Sequence, residues 1–451
     1  MKPHMQRPFT ATPARQRGAV MVLVVIALAA MLLMGALALD GSHMLLNKTR
    51  LQNAVDAAAL SGAKTLQLVT GSGSASTLTR DAALATLTLN ADPDTGNGEL
   101  ATAITAAGGV GDFTIVELSS SVYGPFSYPF AGPGEASYVR VTVPDYPLTG
   151  FFWDAAQSLP EWLGGNPDLP DKAVAAIATA GPSPTASTCK IDPIVVCGDP
   201  AQYDPENGNF WGYRYGDLQT LTCGTPGSPS AGNCQLLRLG DSTGGADIRQ
   251  AFCAGTEQCL EDTGSVDTEP GITWGPVAQG LNTRLGIYNG PVDPAECPPD
   301  WYTNYSEPLV AMDGGVPKQN GAEVVSTDGD LSAGGNALED LNDWKDAYLG
   351  CAASDGSCSG VAERRVLNVV IGNCAEVAGG GATSVPVLGF GCFYLLQKVE
   401  QSGEKEVFGQ FMQECEGSGY AGPTPADDAG PQIIQLYKTY FSDVSTPSPD
   451  S

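Results

Sequence analysis

Twenty-two consecutive residues without a charge, GAVMVLVVIALAAMLLMGALAL between Arg17 and Asp40, constrain this chain more than any other feature. As an α-helix rising about 1.5 Å per residue, the run is about 33 Å long, enough to cross a bilayer hydrocarbon core of about 30 Å. Its flanks orient it. Lys2, Arg7, Arg15 and Arg17 precede it closely, and short basic flanks stay in the cytoplasm, so everything after Asp40 is expected outside. The rival reading is a cleaved signal peptide, for which Ala36-Leu37-Ala38 supplies an A-x-A site. A retained anchor is preferred, because the apolar run exceeds the roughly 7 to 15 residues of a signal core and the helical pattern continues beyond it.

That continuation is GSHMLLNKTRLQNAVDAAALSGAKTLQ, in which Leu51, Val55, Ala58, Gly62 and Leu66 recur at helical spacing. Ala54, Ala58 and Gly62 put a small residue on one face every fourth position, which lets another backbone approach closely. Two readings stand: the face packs on its own domain, or it joins helices of different subunits. Together the two stretches resemble the N-terminal segment of the TadE/TadG-like group of tight-adherence (Flp) pilus assembly proteins. Arg17, Gly18, Asp40, Leu51, Gln52, Asn53, Asp56, Ala57, Ala58, Ala59 and Leu60 carry the resemblance, which is close over the first 65 residues or so and loose thereafter. It implies a single-pass inner-membrane protein with a periplasmic or extracellular domain, serving a type IV-like pilus used in adhesion. Other tight-adherence pilus proteins would then be its partners, reached through the Ala54, Ala58, Gly62 face, with helix-mediated self-association as an additional expectation. Pseudopilins of that system carry a Glu five residues after the processed Gly, whereas five residues after Gly18 stands Leu23. This departure favours the TadG-like branch, with the span kept as an anchor.

Composition narrows the chemistry. The net charge of −28 divides into +5 over residues 1–50 and −33 over the rest, so no basic face is left for nucleic acid. Both histidines, His4 and His43, lie in the first 43 residues, which removes Ser-His-Asp catalysis and His-ligated metals from the remainder. No phosphate-binding loop or dinucleotide fingerprint is present, and the scattered acids read as a solvated surface. We therefore expect no enzyme, no catalytic residue and no cofactor. One metal candidate arises by spacing. Asp328, Asp330, Ser332, Asn336 and Glu339 fall at positions one, three, five, nine and twelve of an EF-hand loop, but Ala333 occupies the sixth position, which needs glycine. The competing reading, an Asx-rich turn leading into a helix from about 337, is preferred, and no metal ligand is assigned. The stretch 91–99, ADPDTGNGE, is a weaker candidate of the same kind.

Twelve cysteines, none before Cys189 and none in a C-x-x-C pair, read as a disulfide framework made in an oxidising compartment. Short loops are cheapest to close, which suggests Cys223 with Cys234, Cys253 with Cys259 and Cys351 with Cys358. The expected organisation is a basic cytoplasmic tail (1–17), a transmembrane helix (18–39), an extended helix (40–70), a cysteine-free α+β domain (71–180), a cysteine-rich β module (181–440) and a disordered tail (441–451). Within it, a helix is expected near 78–90, and strands at 113–118 and at 137–143, where Val139, Val141 and Val143 alternate with polar neighbours. Later strands are expected at 364–374, 390–399 and 407–415. Arg284, in an otherwise uncharged stretch, is read as a buried arginine bridging an acid. The fold class is thus α+β: a long N-terminal transmembrane helix, a small α+β domain and a disulfide-rich, mainly antiparallel β module. The alternative function is a surface adhesin or carbohydrate-binding module on the same export helix, using the aromatic stretches 209–216 (NFWGYRYG) and 298–308 (PPDWYTNYSEP).

Overall fold

The computed structural model describes residues 19–69, 74–132, 135–158, 170–204, 207–223, 233–238, 244–256, 259–261, 264–269, 273–352, 358–376, 384–403, 405–412, 414–421 and 430–439. The expected basic tail 1–17 and disordered tail 441–451 lie outside the described residues. Alanine and leucine dominate residues 19–69 and proline is absent, so the segment forms one helix of 51 residues, α1 (Ala19–Val69). Its character changes at Asp40. Before it, an 18-residue window has a mean hydropathy of 2.9 and no buried residue, long and apolar enough to cross a membrane. Beyond it, Asp40, Asn47, Leu51, Ala54, Val55, Ala58 and Ala59 return on one face and are all buried.

What buries them is a two-layer unit. α2 (Ala75–Asn90) and α3 (Gly98–Ala106) follow α1, then strands β1 (Ile115–Ser119) and β2 (Tyr138–Pro147), the short helix α4 (Trp153–Ser158) and the long strand β3 (Ala173–Cys189). β1, β2 and β3 pair antiparallel in that order. Val139, Val141 and Val143 of β2 and Ala176, Ala178 and Ala180 of β3 join Leu51, Val55, Ala58 and Leu87 in one apolar core. The valine alternation therefore points at the helices, as the period-two pattern requires. The expected junction at 180–181 falls inside β3, which continues to Cys189.

The rest of the chain builds a second core. Strands β4 (Ile194–Gly198), β5 (Leu218–Cys223) and β6 (Asn233–Leu236) precede helices α5 (Gly245–Ala254) and α6 (Trp274–Thr283). Helix α7 (Leu341–Ala352) and strands β7 (Val366–Asn373), β8 (Ser384–Leu395) and β9 (Glu406–Met412) follow. The order β8-β7-β4-β6-β5-β9, with β9 also pairing β8, closes a ring of six strands, which leaves none of the six an open edge in the ring. Four of the pairings are antiparallel; β7 with β4 and β5 with β6 are parallel. Each strand contributes to one cluster, including Val196, Leu221, Leu236, Val369, Phe393 and Phe411, against which Phe252 of α5 and Val277 and Leu281 of α6 pack. The sequence pattern did not single out α5 and α6. Gly275, Pro276 and Gly280 disguise α6, yet Pro276 sits in its first turn, where a missing N–H costs nothing. Finally, β10 (Glu414–Glu416) and β11 (Gly430–Tyr437) carry the chain back to the first sheet, where β11 pairs with β3.

All six disulfides form among the described cysteines. Cys223–Cys234 and Cys351–Cys358 join the expected short loops. The expected Cys253–Cys259 pair is corrected: Cys253 joins Cys297, and Cys259 joins Cys189. Strand register overrides loop length here, since residues 259–261 pair with β3 in a register that sets Cys259 opposite Cys189. Arg284 is buried and bridges an acid as read: its Nη2 donates to Asp192 Oδ1, and its Nε donates to the Phe252 carbonyl at 2.9 Å.

The small face of α1 is occupied by the chain itself. Ala54 and Ala58 are buried, and a Cβ on Gly62 would stand 3.1 Å from Val139 Cγ1 and 3.3 Å from Ala83 Cβ. The intradomain reading of Ala54, Ala58 and Gly62 therefore replaces the expected partner face. Gly62→Leu is expected to overpack this contact and cost about 1–3 kcal/mol, seen as a lower urea midpoint with an unchanged slope. An unchanged midpoint would mean that the face is open.

Candidate functional site at the midpoint of the long helix

Where α1 passes from bare to buried, four donor groups from two segments of the chain converge on its first charged side chain. Asp40 is 8% exposed. Its Oδ1 accepts from the Phe151 N–H at 2.9 Å and from Lys172 Nζ at 3.0 Å; its Oδ2 accepts from the N–H groups of Phe152 and Trp153 at 2.9 and 3.0 Å. Trp153 opens α4, so this carboxylate satisfies N–H groups that the short helix leaves without internal partners. Burial alone would raise the pKa of Asp40, but the Phe152 and Phe151 N–H groups and the Lys172 ammonium outweigh it and hold the carboxyl at about 2.

A second turn of the helix extends the cluster. Lys172 Nζ also donates to the Thr149 carbonyl at 3.1 Å and lies 3.0 Å from His43 Nδ1. His43 Nε2 meets Glu99 Oε2 at 2.8 Å, and the other Glu99 oxygen accepts from the Thr149 N–H at 2.8 Å. Asn47 Nδ2 also stands 2.9 Å from His43 Nε2, so both ring nitrogens of His43 are engaged within the cluster. Asn47 Nδ2 donates to the His43 carbonyl at 3.1 Å and to Glu99 Oε2 at 3.3 Å. Burial works to raise the Glu99 pKa, while the Thr149 N–H and His43 pull it below the usual carboxylate value. The cluster thus clamps α1 to α3, to the 148–152 loop and to the start of β3. Such charge-assisted bonds hold direction as well as position.

The structure sends the oxygens of the 328–339 candidate to separate partners. Asp328 and Gly329 form a hairpin turn and Asp330–Ala333 is a strand; Asp330 Oδ1 accepts from Asn342 at 2.7 Å, and Glu339 accepts from the Tyr302 hydroxyl. Among the described residues no group of three or more His, Cys, Asp or Glu stands close enough to hold a metal ion. The helix expected from about 337 is α7, beginning at Leu341. Trp301 donates to the Gly360 carbonyl at 2.9 Å and stacks on Tyr348, and Trp211 stacks on Tyr203 at 4.7 Å between ring centroids. Ala38 lies inside α1, two residues before Asp40. Asp40 and His43 stand out in the sequence, whereas Lys172, Glu99 and the Phe151–Phe152 pair do not. The available signal was an acid placed immediately after an uncharged run, where an unpaired carboxylate is costly.

Residues 18–65 match the family model described as "Putative Flp pilus-assembly TadE/G-like". The segment that resembles TadE/TadG-like proteins is therefore the helix α1 itself, with Asp40 and its clamp near the middle of the match. No curated protein and no solved structure matches the chain.

A carboxylate whose folded pKa is depressed stabilises the fold above its unfolded pKa of about 3.9 and ceases to do so as pH falls through about 2. The loss in melting temperature of the wild-type chain between pH 4 and pH 2 is accordingly expected to exceed that of Asp40→Asn. At pH 7 Asp40→Ala is expected to cost about 1–3 kcal/mol, the usual effect of removing hydrogen bonds to a charged group. Parallel acid transitions in wild type and Asp40→Asn would contradict the clamp.

Proposed function

We propose that this chain is a membrane-anchored, extracytoplasmic structural or assembly component of a tight-adherence (Flp, type IV-like) pilus system involved in adhesion. The observation that carries the reading is that the TadE/G-like segment is one helix, bare and apolar before Asp40 and built into the domain core after it. A subunit drawn out of the membrane into a fibre needs its apolar helix free to repack. Here the lower half is free and the upper half is committed to β2, β3 and α2.

Orientation follows from Lys2, Arg7, Arg15 and Arg17, which hold the N-terminus in the cytoplasm. Six disulfides suit the oxidising side of the membrane. In this reading the protein acts through contacts and not through catalysis: the span retains it in the inner membrane, the clamp at Asp40 passes that position to the domain, and the disulfide-bonded module presents a rigid surface to other pilus proteins.

Cell fractionation combined with protease accessibility tests this. The chain is expected in the inner-membrane fraction, resistant to alkaline extraction, and digested only once the outer membrane is opened. Recovery in sheared pili, or a mature N-terminus at Leu39, would overturn the retained anchor.

A further inference from the structure

Two large apolar side chains stand uncovered beside the clamp. Phe151 is 58% exposed and Phe152 44% exposed, although both belong to a loop whose backbone is fixed by hydrogen bonds to Asp40. Phe151 is also steadied from one side, with the His43 ring edge-on at 5.2 Å between centroids and Lys172 Nζ 5.8 Å from its ring. These phenylalanines are therefore held out and are not the ends of a slack loop.

Their height along α1 decides what they meet. Asp40 is the residue that ends the uncharged run, so N–H groups bound to it lie level with the last apolar turn, where Leu37 and Leu39 are 75% and 56% exposed. The direction of β2 agrees. Val139 approaches Gly62 of α1, whereas Tyr146 reaches Asn47, with 3.5 Å between its hydroxyl and Asn47 Oδ1. β2 thus runs down α1 toward the span and delivers the 148–152 loop at its base.

We propose that Phe151 and Phe152 form a second membrane contact, inserted at the headgroup–acyl boundary of the non-cytoplasmic leaflet beside the emerging helix. The inference rests on the reading that α1 is anchored in a bilayer. Its occupant is lipid because the patch continues the bare helix surface at the same depth. Phenylalanine, like tryptophan and leucine, buries at the headgroup–acyl boundary when a protein element lies in the interface. Two contacts, a helix and a loop bonded to its first polar residue, fix the tilt of the domain as well as its distance from the membrane.

The full-length protein in phosphatidylcholine liposomes, with bromine placed on the acyl chain near the headgroup, provides the test. Phe152→Trp adds a fluorophore to the proposed contact, and Tyr123→Trp adds one at the far end of the β1–β2 pair, where Tyr123 is 54% exposed. After subtraction of the parent chain's emission, the added signal at 152 is expected to fall about twofold or more in brominated lipid, while that at 123 is unchanged. Alkaline extraction of the same liposomes separates the failures. If the protein stays in the bilayer and the signal at 152 is not quenched, the second contact is wrong and the anchor stands; if the protein is washed out, both are wrong. A blue-shifted but unquenched signal at 152 would also overturn the proposal, because the ring would then be covered by protein.

Discussion

A single helix that has to satisfy two surroundings is the constraint on which everything else in this structure depends. In α1 no residue of the apolar window before Asp40 is buried among the described residues, whereas Leu51, Val55, Ala58 and Ala59 are fully buried in its first core. A helix can continue through such a change only if the residues at the crossing satisfy their polar groups there. Asp40, His43 and Asn47 do so on one face, at successive three- and four-residue steps, against Lys172, Glu99 and three backbone N–H groups. Breaking a charged partner out of such a cluster leaves the other charge unpaired, so the cluster acts as one unit.

From that crossing, position is transmitted upward. The end of α1 reaches the second module directly: Lys64 pairs with Glu363 at 2.6 Å, Gln67 Nε2 donates to the Cys415 carbonyl at 3.2 Å, and Leu68 joins an apolar cluster with Trp344, Tyr394 and Phe408. β3 and β11 tie the two parts a second time, because β3 belongs to the first sheet and β11 returns from the end of the second module to pair with it. In the second module buried charge is handled as it is at Asp40. Arg365, fully buried, donates to the carbonyls of Leu395, Leu396, Tyr302 and Asn304, and its backbone N–H donates to Asp300. Each guanidinium nitrogen has an acceptor, which is the condition under which a buried guanidinium is tolerated.

Much of this was legible in the residues. The uncharged run, the valine alternation of β2, the strands around 366–373 and 406–412 and the buried Arg284 each follow from a period or a composition that local physics dictates. The features that were not legible depend on distant parts of the chain. Whether Ala54, Ala58 and Gly62 face a partner or their own domain is decided by Val139 and Ala83. The pairing of Cys259 with Cys189 is decided by a strand register across seventy residues. The EF-hand spacing of 328–339 fails because two hairpin turns at Asp328–Gly329 and Gly334–Gly335 send its oxygens apart. The clamp at Asp40 could be anticipated only in part, since an acid at the end of an apolar run calls for a partner without saying which lysine supplies it.

α1 runs unbroken from its apolar half into the domain core, held at Asp40 although Gly41 and Ser42 come next in sequence. Amide hydrogen exchange of the full-length chain in a lipid bilayer tests it most directly, because an open joint would expose its N–H groups to water. Residues 38–47 are expected to exchange within about tenfold of residues 50–60. Rapid exchange confined to Gly41–Met44, with both flanks protected, would show a hinge between the two halves and contradict it.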